Sequence, residues 1–235
     1  MLKYEIVDNQ KEEWVVFVHG IGGSTKTWSK QIAQAHVVGL SMGTIVIVNF
    51  AVCYPAYVKS IILGGSSLKL SGIYKGAVIL ANKIKRVVPY KFLYKFFAWF
   101  MMPSKSHKKS RLIFLREVVK LKKETMFAWI EYVQFTLHPE QILLKLEFLG
   151  KKILVISGDE DHCFIDDAKA LAKKMRNTEM KIIEKCGHIC SIEKWTTFNR
   201  IALDFLSNTI VNVRNADSQQ KLSKKPCKIK DFLLE

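Results

Sequence analysis

A chain of 235 residues with 49% apolar composition can bury a sizeable core, which excludes intrinsic disorder as its general state. The formal charge of +16 raises nucleic acid or an acidic surface as partners, but residues 66–152 hold 18 Lys and Arg against 5 Glu, so +13 of the excess belongs to one segment. That segment carries no nucleic-acid motif, so no nucleic-acid partner is expected. The five cysteines (Cys53, Cys163, Cys186, Cys190 and Cys227) are odd in number and scattered, which fits neither a disulfide framework nor a zinc site. With no basic and apolar leader at Met1, they point to a reducing, cytoplasmic setting.

In chain order, residues 2–7 read as a strand, 8–13 as a polar turn and 14–18 as a buried strand ending at His19-Gly20, which together make a hairpin. Ser24 can cap a helix running to about Gln34. Residues 36–40 form a second buried strand, 42–54 an apolar helix closed at Pro55, and 58–64 a third buried strand. The run 35–58 has no formal charge and is long enough to cross a bilayer. Gly39, Ser41, Gly43, Asn49 and Pro55 divide it instead into a strand and a buried helix.

Residues 69–149 place apolar and basic side chains at helical spacing, broken at Pro89, Pro103 and Pro139, and read as a helical insertion. Strand patterning returns at 153–156, followed by a helix at 166–175, a strand at 180–183 and a helix at 192–206. This is α/β order. The expected division is an α/β core over 1–66 and 151–211, a helical insertion over 67–150, and a disordered basic tail over 212–235.

Gly39-Leu40-Ser41-Met42-Gly43 matches G-x-S-x-G between a strand and a helix, the setting in which a serine is held in a strained turn as a nucleophile. Glycines flank it because the backbones approach closely there. His19-Gly20-Ile21-Gly22-Gly23 follows the preceding strand, and the N–H groups of Ile21 and Met42 are the expected oxyanion donors. Asp161, in Gly158-Asp159-Glu160-Asp161, and His188, in Cys186-Gly187-His188, each lie past the carboxyl end of a strand. In an open parallel sheet those ends share one crevice, where a histidine oriented by a carboxylate can take the proton of Ser41. Asp159 and Glu160 remain competitors for the acid role.

Residues 14–28, 35–65 and 151–206 resemble the α/β-hydrolase superfamily, in particular its small bacterial esterase and carbon-carbon bond hydrolase branch. The resemblance implies a mostly parallel sheet with flanking helices, a helical cap, and a Ser41, Asp161 and His188 triad working without metal or cofactor. Gly187-His188 followed by Glu193 and Phe198-Asn199 is similar to the family's last helix, although Trp195 stands where proline is usual. The chain departs from the family between His19 and Ser41. Ser41 follows His19 by only 22 positions, where the family places a further strand, helix and loop, so an internal deletion is expected. Residues 2–7 must then pair directly with 14–18, or the sheet keeps a gap. The short crossover at 20–35 puts the helix 24–34 on the face the missing helix should cover, leaving the opposite face under-packed and stability lowered.

Within the insertion, residues 90–102 concentrate aromatics between lysines. As a lid they would set Phe96, Trp99 and Phe100 as an apolar wall for a small ester or acyl substrate. As a basic amphipathic helix they would rest weakly on an anionic membrane. The functional expectation is a serine hydrolase of ester or related carbonyl substrates. Its alternatives are a catalytically inactive relic and a lipid-surface binding protein. Substrate identity and oligomeric state are not legible in these residues.

Overall fold

The computed structural model describes residues 16–18, 36–55, 58–66, 68, 72–118, 120–135 and 140–214. Among them, five strands form one sheet: β1 (Val16–Val18), β2 (Val37–Leu40), β3 (Ser60–Gly64), β4 (Lys152–Gly158) and β5 (Thr178–Ile183). They lie side by side in chain order and every neighbouring pair is parallel. β2, β3 and β4 are nearly continuous runs of Val, Ile and Leu, because both faces of a parallel sheet are covered. Ile61, Ile62 and Leu63 are fully buried. Each contributes roughly 1.5–3 kcal/mol of burial free energy.

Alternation along the strands assigns the two faces. Val37, Ile61, Leu63, Ile153 and Val155 pack with Ile45, Ile47, Val48 and Ala51 of helix α1 (Met42–Cys53). Ala168 and Leu171 of the later helix over Ile165–Lys174 join the same cluster. Val38, Leu40, Ile62, Leu154 and Ile156 point the other way, into a cluster with Phe198, Ala202, Phe205 and Leu206 of the last helix, Trp195–Arg214. α1 has buried side chains around most of its circumference, which explains the uncharged run in the sequence. Among the described residues no helix is long and apolar enough to cross a membrane.

Between β3 and β4 the chain leaves the sheet for five helices, α2 (Gly72–Ile84), α3 (Tyr90–Met101), α4 (Lys108–Val118), α5 (Lys123–Phe135) and α6 (Glu140–Phe148). Pro89 immediately precedes α3 and Pro103 lies between α3 and α4, as their missing N–H groups require. Lys85, just past α2, pairs with Glu131 of α5 at 2.5 Å. Leu146 of α6 returns to the core beside Ile153. α7 (Ile165–Lys174) follows β4. β5 is followed by a single turn α8 (Cys190–Glu193) and by α9 (Trp195–Arg214).

Two expectations change. The helix expected over 192–206 is two helices, because Lys194 leaves the helical region at φ −129° and ψ 48°. α9 then runs to Arg214, three residues into the expected tail. The expected strand at 2–7, the crossover helix to Gln34, His19, Ile21 and the rest of the tail lie outside the described residues. β1 pairs directly with β2 in parallel, with Phe17 opposite Val38.

Candidate active site

Ser41 occupies the one-residue step between β2 and α1, with φ 53° and ψ −128°. A non-glycine residue in that region costs of order 1–3 kcal/mol, so the surroundings must impose it. Its N–H donates to the Gly64 carbonyl of β3 at 2.8 Å. Its own carbonyl accepts from the Thr44 N–H at 2.8 Å and the Thr44 hydroxyl at 2.5 Å. The reversal is tight enough that a Cβ on Gly39 would stand 2.7 Å from the Gly43 carbonyl oxygen and 2.8 Å from Ile47 Cδ1. Glycine at 39 is therefore a steric requirement of the turn. Met42, one of the two expected oxyanion donors, is the buried first residue of α1, where N–H groups face the positive end of the helix dipole.

His188 reaches this serine from the loop after β5, with Nε2 at 2.8 Å from Ser41 Oγ. Its Nδ1 lies 2.9 Å from Asp161 Oδ2, so Nδ1–H donates to the carboxylate and Nε2 is left to accept from the serine hydroxyl. Imidazole and carboxylate are almost wholly buried, at 1% and 0% exposure, while Ser41 is half-buried. Burial opposes the imidazolium, but the Asp161 charge, its hydrogen bond and the charge of Glu193 outweigh it and hold the pKa of His188 above the ordinary value. The Phe164 ring lies 4.8 Å from the imidazole, centroid to centroid.

The three acids competing in the loop after β4 separate by partner. Asp161 alone meets His188. Asp159 Oδ1 accepts the Cys186 N–H at 3.1 Å, and Glu160 Oε2 meets His107 Nε2 at 2.8 Å and accepts the Ser106 hydroxyl at 3.0 Å. The Glu160 N–H donates in turn to the Cys186 carbonyl, and the Gly187 N–H to Glu193 Oε2 at 2.7 Å. The two loops press so closely that a Cβ on Gly158 would fall 2.1 Å from the Cys186 carbonyl oxygen. Gly65, at φ +53°, admits His188 in the same way, since a Cβ there would meet the His188 carbonyl at 2.6 Å.

His107, at the start of α4, was not anticipated. Its ring is fully buried against Gly187 and ties the insertion to both loops, yet no local motif marks it, because its partner is 53 residues away. Of the expected substrate wall, α3 buries Leu93, Tyr94, Ala98 and Met101, and turns Phe96 and Trp99 to solvent. Phe100 is nearer the site: its carbonyl accepts from the Cys163 thiol, two residues beyond Asp161. Burial pushes the thiols of Cys186 and Cys190 up, Cys190 to about 12, so both stay protonated and serve as packing.

No protein-family model matches the chain. It is 27% identical over 194 residues to the 2-hydroxy-6-oxononadienedioate/2-hydroxy-6-oxononatrienedioate hydrolase of Comamonas testosteroni, covering 75% of this chain and 64% of that protein. It is 26% identical over 194 residues to the 2-hydroxy-6-oxo-6-phenylhexa-2,4-dienoate hydrolase of Burkholderia cepacia, with the same coverage. The chain thus spans 64% of the length of these curated relatives. Among solved structures, the enol-lactonase of Burkholderia xenovorans LB400 superposes with a TM-score of 0.71 at 15% identity, over 84% of this chain and 92% of that one. The chain has the α/β-hydrolase fold. A carboxylesterase of Nitrososphaera gargenis shares the α/β-hydrolase fold at a TM-score of 0.68 and 17% identity, over 84% and 91% of the two chains. The expected fold, and the expected resemblance to carbon-carbon bond hydrolases, are thereby borne out.

Proposed function

We propose that the chain is a serine hydrolase acting on an ester or related carbonyl compound through an acyl-enzyme at Ser41. The observation that carries this reading is the unbroken hydrogen-bonded series from Ser41 Oγ through His188 to Asp161, at 2.8 and 2.9 Å. Ser41 Oγ attacks the carbonyl carbon as its proton passes to His188 Nε2, and Asp161 stabilises the imidazolium that forms. The oxyanion turns toward the N–H of Met42, with that of Ile21 as the expected second donor; one such donor is worth about 2.7–4 kcal/mol. Collapse expels the leaving group, which takes the proton from His188, and water repeats the addition on the acyl-enzyme.

The relatives' substrates, named as 6-oxo dienoic acids, also present a carbonyl carbon as electrophile. The same attack therefore supports a carbon-carbon as well as an ester bond as the one cleaved. The discriminating experiment is turnover of a short p-nitrophenyl ester by the native chain and by Ser41→Ala. Loss of about a thousandfold or more in rate is expected, since removing one triad member disables the rest. Equal rates would end the serine-hydrolase reading.

A further inference from the structure

We propose that the outward face of α3 is a docking surface for an anionic lipid bilayer. The buried side of this helix is set by Leu93, Tyr94, Ala98 and Met101. The opposite side of a surface helix ordinarily carries polar residues. Here it carries Phe92, Phe96 and Trp99, exposed by 64%, 58% and 56%. At 3.6 residues per turn the three fall within about 60° of arc, so they make one stripe. Lys91 and Lys95 are exposed along one flank of that stripe.

The stripe is held in place. The Arg111 guanidinium lies 3.7 Å from the centroid of the Trp99 ring, and Arg111 is itself buried, donating to the carbonyls of Met102 and Ser104. The Phe96 ring stacks on Phe100 with centroids 6.0 Å apart. An aromatic face fixed outward loses little side-chain entropy on entering an interface, and flanking lysines can lay their stems along it while keeping their charges at the headgroups.

Charge selects the occupant. The insertion, residues 67–150, carries +11 of the chain's +16 and no Asp, so a second copy would meet like charge, whereas an anionic leaflet supplies the opposite sign together with an apolar boundary for the aromatics. Since no described helix can span a bilayer, the association is with its surface. This surface is independent of the chemistry at Ser41.

The test is co-sedimentation of the full chain with phosphatidylcholine vesicles, alone or with about 30 mol% phosphatidylserine. Binding is expected to the anionic vesicles only, and to fall as salt rises from about 0.1 to about 0.5 M. Phe92→Ser with Phe96→Ser, checked for native circular dichroism, is expected to lower the partition coefficient about tenfold or more. Ser41→Ala should sediment like the native chain, which separates failure here from failure of the hydrolase reading. Three results would overturn the proposal: no binding to anionic vesicles, equal partition of the double variant, or a dimer in vesicle-free solution that the double variant abolishes.

Discussion

At the scale of single residues, His188 governs how the site answers to pH. Its pKa is raised despite burial, and a general base must be neutral, so kcat/KM is expected to rise with pH along an acid limb centred above about 6.5. The sign for stability is opposite. A raised pKa in the folded state favours folding below the unfolded value, and that contribution disappears as pH climbs through the folded one. Asp161→Asn should drop the limb toward lower pH and slow turnover by up to about 10⁴-fold, because the imidazole loses both its charge partner and its tautomer. A limb that stays put in that variant would remove Asp161 from the mechanism. Ser41 was readable in the sequence because its turn tolerates almost nothing but glycine at 39, which leaves a visible motif. The distinction among Asp159, Glu160 and Asp161 was not readable from composition: all three are acidic, and only the partners supplied by distant loops separate them.

At the scale of elements, the insertion and the core meet through His107. Its imidazole fills the space above Gly187 and pairs with Glu160, so truncation leaves a cavity and takes from Glu160 one of its partners, with Ser106 remaining. His107→Ala is expected to lower unfolding free energy by about 2 kcal/mol. Urea denaturation checks this, and an unmoved midpoint would mean that the insertion is held elsewhere. Helices and strands were largely legible because a parallel sheet writes itself as uninterrupted Val, Ile and Leu at 61–63 and 153–156, and prolines at 89 and 103 punctuate the insertion. Which side of α3 would face outward was less so. Phe92, Phe96, Phe97, Trp99 and Phe100 surround much of the helix, and only packing of Leu93, Tyr94, Ala98 and Met101 chooses the buried side.

For the whole molecule, β1 pairs directly with β2, and Phe92, Phe96, Trp99, Leu112, Leu144 and Phe148 leave apolar surface exposed on the insertion. A purified chain is therefore expected to bind a hydrophobic dye and to melt below the usual mesophile range of about 45–65 °C. A single sharp transition inside that range without dye binding would contradict a shortened, under-packed core.

Ser41 and His188 are 147 residues apart along the chain, and nearly every strand and helix must be in place before their side chains touch. Secondary structure can be regained piecemeal on refolding, but nucleophile and base become partners only when the final loop seats against the sheet. Recovered turnover would thus clock the last event of assembly, and a ribosome-bound fragment ending short of β5 would be inert however well its earlier helices had formed.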